Sequence, residues 1–121
     1  MVIDDPVLIL RIPRTFRAVT SPESLYEATR GVWRVGPRRN AARYALGVAE
    51  GVVQEVYEIH RWQPAGTAPY ATRTREDVAR PSRWEFVGQR APEGVRAKYL
   101  GRPVPEFSGG QNPVRYVNCE A

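Results

Sequence analysis

The sequence predicts an α+β domain built on a curved, mostly antiparallel sheet, or a partly open β-barrel, of about six strands with two short helices. Three observations carry this expectation. Short runs rich in β-branched and aromatic residues recur along the chain, bounded by glycine, proline or asparagine. Two segments carry helix start and stop signals. Strands and helices do not alternate regularly, so a parallel βαβ sheet is not indicated. At 121 residues the chain reads as one domain, 1–121, large enough to bury roughly two thirds of its unfolded surface.

In chain order, "VLILRI" (7–12) reads as a buried first strand that Pro13 ends. "TSPESLYEATRG" is the clearest helix. Thr20 or Ser21 can cap it, Pro22 suits the first turn, and Glu23 can complete a capping box with Thr20. Gly31 suits a left-handed C-terminal position. "GVWRV" (31–35) is a short strand, broken by Gly36-Pro37, and "RRNAARY" holds one helical turn or a loop. "RYALGVA" and "VVQEVYEIHRW" read as two strands of a hairpin turning at Glu50-Gly51. Small residues at Ala45, Gly47 and Ala49 mark a crowded face. Alternation in the second strand sets Val52, Gln54, Val56 and Glu58 against Val53, Glu55, Tyr57 and Ile59, a mixed pattern that suits a curved sheet. The segment 63–82, with three prolines, is a long irregular stretch, and loops of that length are commonly functional. "RWEFVGQRA" is a further strand. "PEGVRAKYLGRPV" is a helix opened by Pro92 and closed by Gly101, and the last strand is Val114 to Asn118.

Composition narrows the function. No run approaches the roughly 20 apolar residues of a membrane span, and "MVIDDPVLIL" lacks the basic start and small-residue cleavage site of a signal peptide. The lone cysteine, Cys119, rules out an intrachain disulfide and a four-thiolate zinc site, and a reducing, cytoplasmic compartment is expected. No membrane partner and no cofactor is expected. There are 18 basic and 13 acidic residues, net +5, and only Lys98 among the basic ones is a lysine. Arginine presents a planar fork of donors that matches phosphate and stacks on rings, so a polyanion partner is a natural candidate.

Catalytic chemistry is poorly supported. His60 is the only histidine, nothing near it suggests a nucleophile, and Glu55 and Glu58, three apart on one strand, point to opposite faces. No catalytic and no metal-ligating residue is assigned. Binding is better supported. Trp33, Trp62 and Trp84 each lie on or beside a strand with an arginine next to them. Burial in the core explains any one of them; all three being fully buried is not expected in so small a domain. The arginines form two groups: Arg34, Arg38, Arg39 and Arg43 after the first helix, and Arg73, Arg75, Arg80 and Arg83 around the long segment. A solvated surface accounts for either group alone. Together they can hold a phosphate backbone while a base stacks on Trp33 or Trp62, with Tyr57 and Tyr70 lining the pocket. Gln111, Asn112 and Asn118 are candidates for reading a base edge, although turn chemistry alone also favours them there.

The strings "LYEATRGVWRVGPRR", "YALGVAEGVVQEVYEIHRW", "RWEFVG" and "GGQNPVRYVNC" resemble a bacterial domain of poorly characterised function, found free-standing or following a GIY-YIG nuclease domain of the LEM type. The likeness runs from about Val7 to Cys119. The paired GIY and YIG strands of the nuclease module are absent from this chain. The resemblance implies a non-catalytic, nucleic-acid-binding accessory domain of a nuclease or defence system. In outline the element order is also similar to PUA-like barrels of the ASCH, EVE and SRA kind, several of which read modified bases, an analogy of architecture. DNA is the first expected partner, ahead of RNA, with a nuclease as a further partner and a monomer or homodimer as the assembly. Two alternatives stay open: a protein-interaction or homodimerising module of such a system, and a small nucleotide-acting enzyme with Glu27, Glu55 or Glu85 facing a tryptophan-lined cavity.

Overall fold

Four consecutive apolar residues open the first strand, β1 (Val7–Arg11), because both of its faces are covered. Val7 and Ile9 enter one apolar cluster, with Tyr44, Leu46, Val48 and Tyr99. Leu8 and Leu10 enter a second, with Trp33, Tyr57 and Phe86. The computed structural model describes residues 2–12, 21–104 and 112–119.

Helix α1 (Pro22–Arg30) starts at Ser21, whose hydroxyl accepts from the Ser24 amide at 3.0 Å. Ser24 closes the capping box from the third helical position, not Glu23, which sits one residue too early to reach back. Thr20 lies outside the described residues. The helix ends without a left-handed residue. Gly31 is extended (φ −161°) and leads straight into β2 (Gly31–Trp33). Its glycine is required by close approach instead: a Cβ there would lie 2.5 Å from the Tyr70 hydroxyl oxygen and 3.1 Å from the Glu85 Cβ.

A 3₁₀ turn (Pro37–Ala41) leads to the hairpin of β3 (Tyr44–Ala49) and β4 (Val52–Pro64). Glu50 and Gly51 both have positive φ, 53° and 77°, as a two-residue hairpin turn demands. The crowded face of β3 belongs to α1, since a Cβ on Gly47 would meet the Thr29 hydroxyl at 2.7 Å. Simple alternation along β4 fails at two bulges. Against β3 the register steps from Glu55 to Val53, leaving Gln54 extra; against β5 (Trp84–Arg90) it steps from Ile59 to Arg61, leaving His60 extra. Val53 and Val56, three apart, therefore share one cluster, and Tyr57, Ile59 and Trp62 the other.

Helix α3 (Glu93–Tyr99) follows Pro92 and ends before Gly101, whose φ is +76°. One element was not expected: α2 (Arg75–Val78), a single turn capped by Thr74 inside the segment read as irregular. Strand β6 (Val114–Val117) completes the sheet.

The strand order is β2-β5-β4-β3-β1-β6. Every neighbouring pair is antiparallel except β1 with β3. The sheet curls into a half-barrel whose outer strands, β2 and β6, do not pair with each other. No helix among the described residues is long and apolar enough to cross a membrane.

Candidate nucleic-acid interface

The buried glutamates bear first on what this chain can do. Glu27, Glu55 and Glu85 are 5%, 4% and 0% exposed, and a buried carboxylate persists only where donors surround it. Glu85 accepts from Gln63 Nε2 (2.6 Å), the Gly66 amide (2.9 Å), the Ala68 amide (2.8 Å) and the Tyr70 hydroxyl (2.9 Å). Burial and the adjacent Glu85 charge raise the Tyr70 pKa, which keeps that hydroxyl a donor. Glu27 accepts from the Ala71 amide (2.8 Å) and from the amide and hydroxyl of Thr72. Glu55 takes Arg96 through two nitrogens and Arg90 at 3.3 Å. Two of the three thus pin the irregular stretch 65–74, and the third ties β4 to α3. None of them lines the groove described below, as a nucleotide-acting enzyme of this kind would need. Among the described residues no three of His, Cys, Asp and Glu come together in a way that would hold a metal.

Glu27 also gives the fold a pH dependence. Burial pushes its pKa up, but the Ala71 and Thr72 hydrogen bonds outweigh burial, and the pKa lies below the usual carboxylate value. The unfolded chain therefore takes up the proton first, so this stabilisation is complete above about pH 4.3 and fades as pH falls through the lower folded value. Exposed Asp4, held down by Lys98 and Tyr99, acts in the same direction. Urea unfolding is expected to show a loss of stability from pH 5 to pH 3, and Glu27→Gln to flatten that slope. An unchanged slope in the variant would remove Glu27 from the account.

The open side of the half-barrel carries the candidate site. The end of β2, the residue before β5 and the start of β6 enclose a groove of about 470 Å³. Its apolar wall is Val32, Trp33, Pro113 and Val114; its polar groups are Arg34, Arg83 and Asn112. Antiparallel pairing sets Trp33 against Trp84, and that register brings Arg34 and Arg83 to the ends of adjacent strands on one groove. Like charges so placed repel unless something neutralises them. Asn112 Oδ1 accepts from the Val114 amide at 3.0 Å, leaving its amide nitrogen as a donor.

Two more arginines stack on rings next to groove-lining residues: Tyr116 in β6, and Trp84, which follows Arg83. The Arg38 guanidinium lies 4.4 Å from the Tyr116 ring centre, and its Nε donates to the Cys119 carbonyl. Arg39 lies 3.7 Å from the Trp84 ring centre. Their 3₁₀ turn is held at both ends: the Gly36 amide donates to the Tyr116 hydroxyl (3.0 Å), and Trp62 Nε1 donates to the Arg39 carbonyl (3.1 Å). A guanidinium stacked flat on a ring keeps its outer edge for an anion.

The described salt bridges to arginine and lysine gather around α3, where Arg90 and Arg96 meet Glu55, Arg96 also meets Glu93, and Lys98 meets Asp4 and Asp5. Among the described residues no carboxylate is paired with Arg34, Arg38, Arg39 or Arg83.

The other residues singled out in the sequence lie elsewhere. Tyr57 is buried among Tyr26 and Phe86. Trp62 packs edge-on against Phe86 at 5.4 Å. Tyr70 is held by Glu85 with Arg30 stacked 4.2 Å away. Arg73 donates to the carbonyls of Glu27 and Gly31, and Arg75 is exposed on α2. Arg43 is exposed beside Tyr44. Asn118 ties down the chain before β1 by donating to the Ile3 and Asp5 carbonyls. Gln111 lies outside the described residues. Of the three tryptophans, Trp33 is the most buried at 5% exposure, with Nε1 donating to the Thr29 carbonyl; it forms a wall of the groove and not an open stacking platform. The groove adds Val32, Pro113 and Val114 to the residues chosen from sequence. Arg83, named from the sequence among the arginines around the long segment, is the member of that group that the β2–β5 register brings to the groove beside Arg34. Compared with protein-family models, curated proteins and solved structures, the chain matches none of them.

Proposed function

We propose that this chain is a non-catalytic nucleic-acid-binding domain that acts beside a nuclease or within a defence system. The observation that carries the reading is the set of four arginines, Arg34, Arg38, Arg39 and Arg83, unpaired with any described carboxylate around one groove. Two of them are pre-stacked on aromatic rings, which lowers the entropy lost when they grip a phosphate. The described salt bridges to arginine and lysine sit around α3, so a polyanion approaching the groove meets arginines that no described carboxylate pairs. Resemblance to the segment that follows LEM-type GIY-YIG domains supports a role next to a nuclease.

The test is a mobility-shift series on single-stranded, double-stranded and methylated oligonucleotides at several salt concentrations. Each phosphate contact removed lowers the salt slope by about one. Arg38→Ala with Arg39→Ala is expected to weaken binding about tenfold at low salt and to reduce the slope by about two. Absence of binding at low salt, together with a stable homodimer indifferent to oligonucleotide, would replace this reading with a protein-interaction module.

A further inference from the structure

We infer that the groove takes one unpaired nucleotide of a strand, so that single-stranded nucleic acid is bound in preference to duplex. This rests on the nucleic-acid reading above and adds the class of substrate. The volume is the first argument. A groove of about 470 Å³ is at the small-molecule end of binding sites, which run from roughly 300 to 1,000 Å³. It admits a base with its sugar and cannot admit a duplex. The chemistry of its walls is the second. Val32, Trp33, Pro113 and Val114 offer an apolar surface to the flat face of a base or to a sugar, and the Asn112 amide offers a donor to a base edge. Arg34 and Arg83 line the same groove with no described carboxylate paired to either, and a phosphodiester oxygen held by both offsets their like charge.

The surroundings supply the third argument. Arg38 and Arg39 stand on the rings of Tyr116 in β6, which lines the groove at its start, and of Trp84, the residue after groove-lining Arg83. Neither arginine lines the groove itself, so a strand that runs on past it gains phosphate contacts that a mononucleotide held in the groove does not. A base in the groove turns its pairing edge towards protein, so the partner strand must be absent at that position. Because Trp33 is a buried wall, most of the hold comes from phosphate contacts and apolar packing. Selectivity among the four bases is accordingly weak, and the site reads strandedness instead.

The test is fluorescence anisotropy with a labelled 12-mer single strand, the blunt duplex of the same sequence, and that duplex carrying a four-nucleotide overhang, each competed with adenosine monophosphate. The single strand is expected to bind at least tenfold tighter than the blunt duplex, the overhang to restore most of the difference, and the mononucleotide to compete only at far higher concentration. Arg34→Gln with Arg83→Gln is expected to weaken binding of both forms but of the single strand more, cutting its preference from about tenfold or more to under about threefold; circular dichroism confirms that the variant is folded, and a preference that survives unchanged would overturn the inference. Equal affinity for strand and blunt duplex would overturn this inference and leave the nucleic-acid reading intact. Mononucleotide competing as well as the strand would overturn the strand assignment in favour of a free-nucleotide site. Failure of every oligonucleotide to bind would overturn both.

Discussion

Glu85→Ala is expected to lower the unfolding free energy by about 4 kcal/mol, near the upper end for a single substitution. The side chain is fully buried, and its two oxygens accept from Gln63, Gly66, Ala68 and Tyr70. Truncation strands these donors together, and each buried donor left without a partner costs about 1–3 kcal/mol. Water entering the vacated space recovers part of this, which sets the expectation below the simple sum. Glu85→Gln keeps the volume but turns an NH₂ towards groups that are themselves donors, so an intermediate loss is expected. Urea denaturation of the three proteins checks the order. A loss below about 1 kcal/mol for the alanine variant would mean that the stretch 65–74 does not depend on this carboxylate.

The second large effect is Gly88→Ala, expected to cost about 3 kcal/mol. Gly88 lies opposite Ile59, beside the bulge at His60. There the β4 backbone comes so close that a Cβ would sit 2.1 Å from the Glu58 carbonyl oxygen. A carbonyl in a ladder cannot swing away as a flexible side chain can. The bulge must move, and with it the Gly88 amide, which donates to the Tyr26 hydroxyl of α1 at 3.0 Å. Overpacking of this kind costs about 1–3 kcal/mol and sometimes more. Gly94→Ala in α3 is the matched control, because nothing lies within 4 Å of its Cβ position; helix propensity alone should make it neutral or stabilising by up to about 1 kcal/mol. Equal stabilities for the two alanine variants would show that the close approach at Gly88 is relieved at no expense.

These two residues also show what the sequence could disclose. Element positions were legible because punctuation marks them: Glu50-Gly51 between β3 and β4, and Pro92 and Gly101 around α3. The fold class followed from their number and order. Strand neighbours were not legible, since pairing β1 with β3 and β6 is decided by contacts between distant residues. Nor were the bulges. An extra residue at Gln54 or His60 leaves no local signature except broken alternation, which reads equally well as a mixed face. Glu27 and Glu85 look like any surface glutamate until the amides of 66–72 are brought to them. The same limit governs the candidate site. Trp33, Arg34 and Asn112 meet at the groove, whereas Arg73, indistinguishable from Arg34 by residue type, turns inward to backbone carbonyls. Residue type narrows the chemistry; only the register says which copies face solvent together.

The place of β1 in the sheet sets an order of events during synthesis. Among the described strands it is synthesised first, yet it lies between β3 and β6, the last of them. While the ribosome is still translating the middle of the chain, Val7–Arg11 can pair with β3 on one side only. Its other edge then exposes a ladder of unmet amides and carbonyls on a strand of apolar residues, the kind of edge that captures stray chains. Completion waits for Val114–Val117 to leave the exit tunnel, so the nascent chain is most open to misassembly or chaperone capture just before the groove itself is formed.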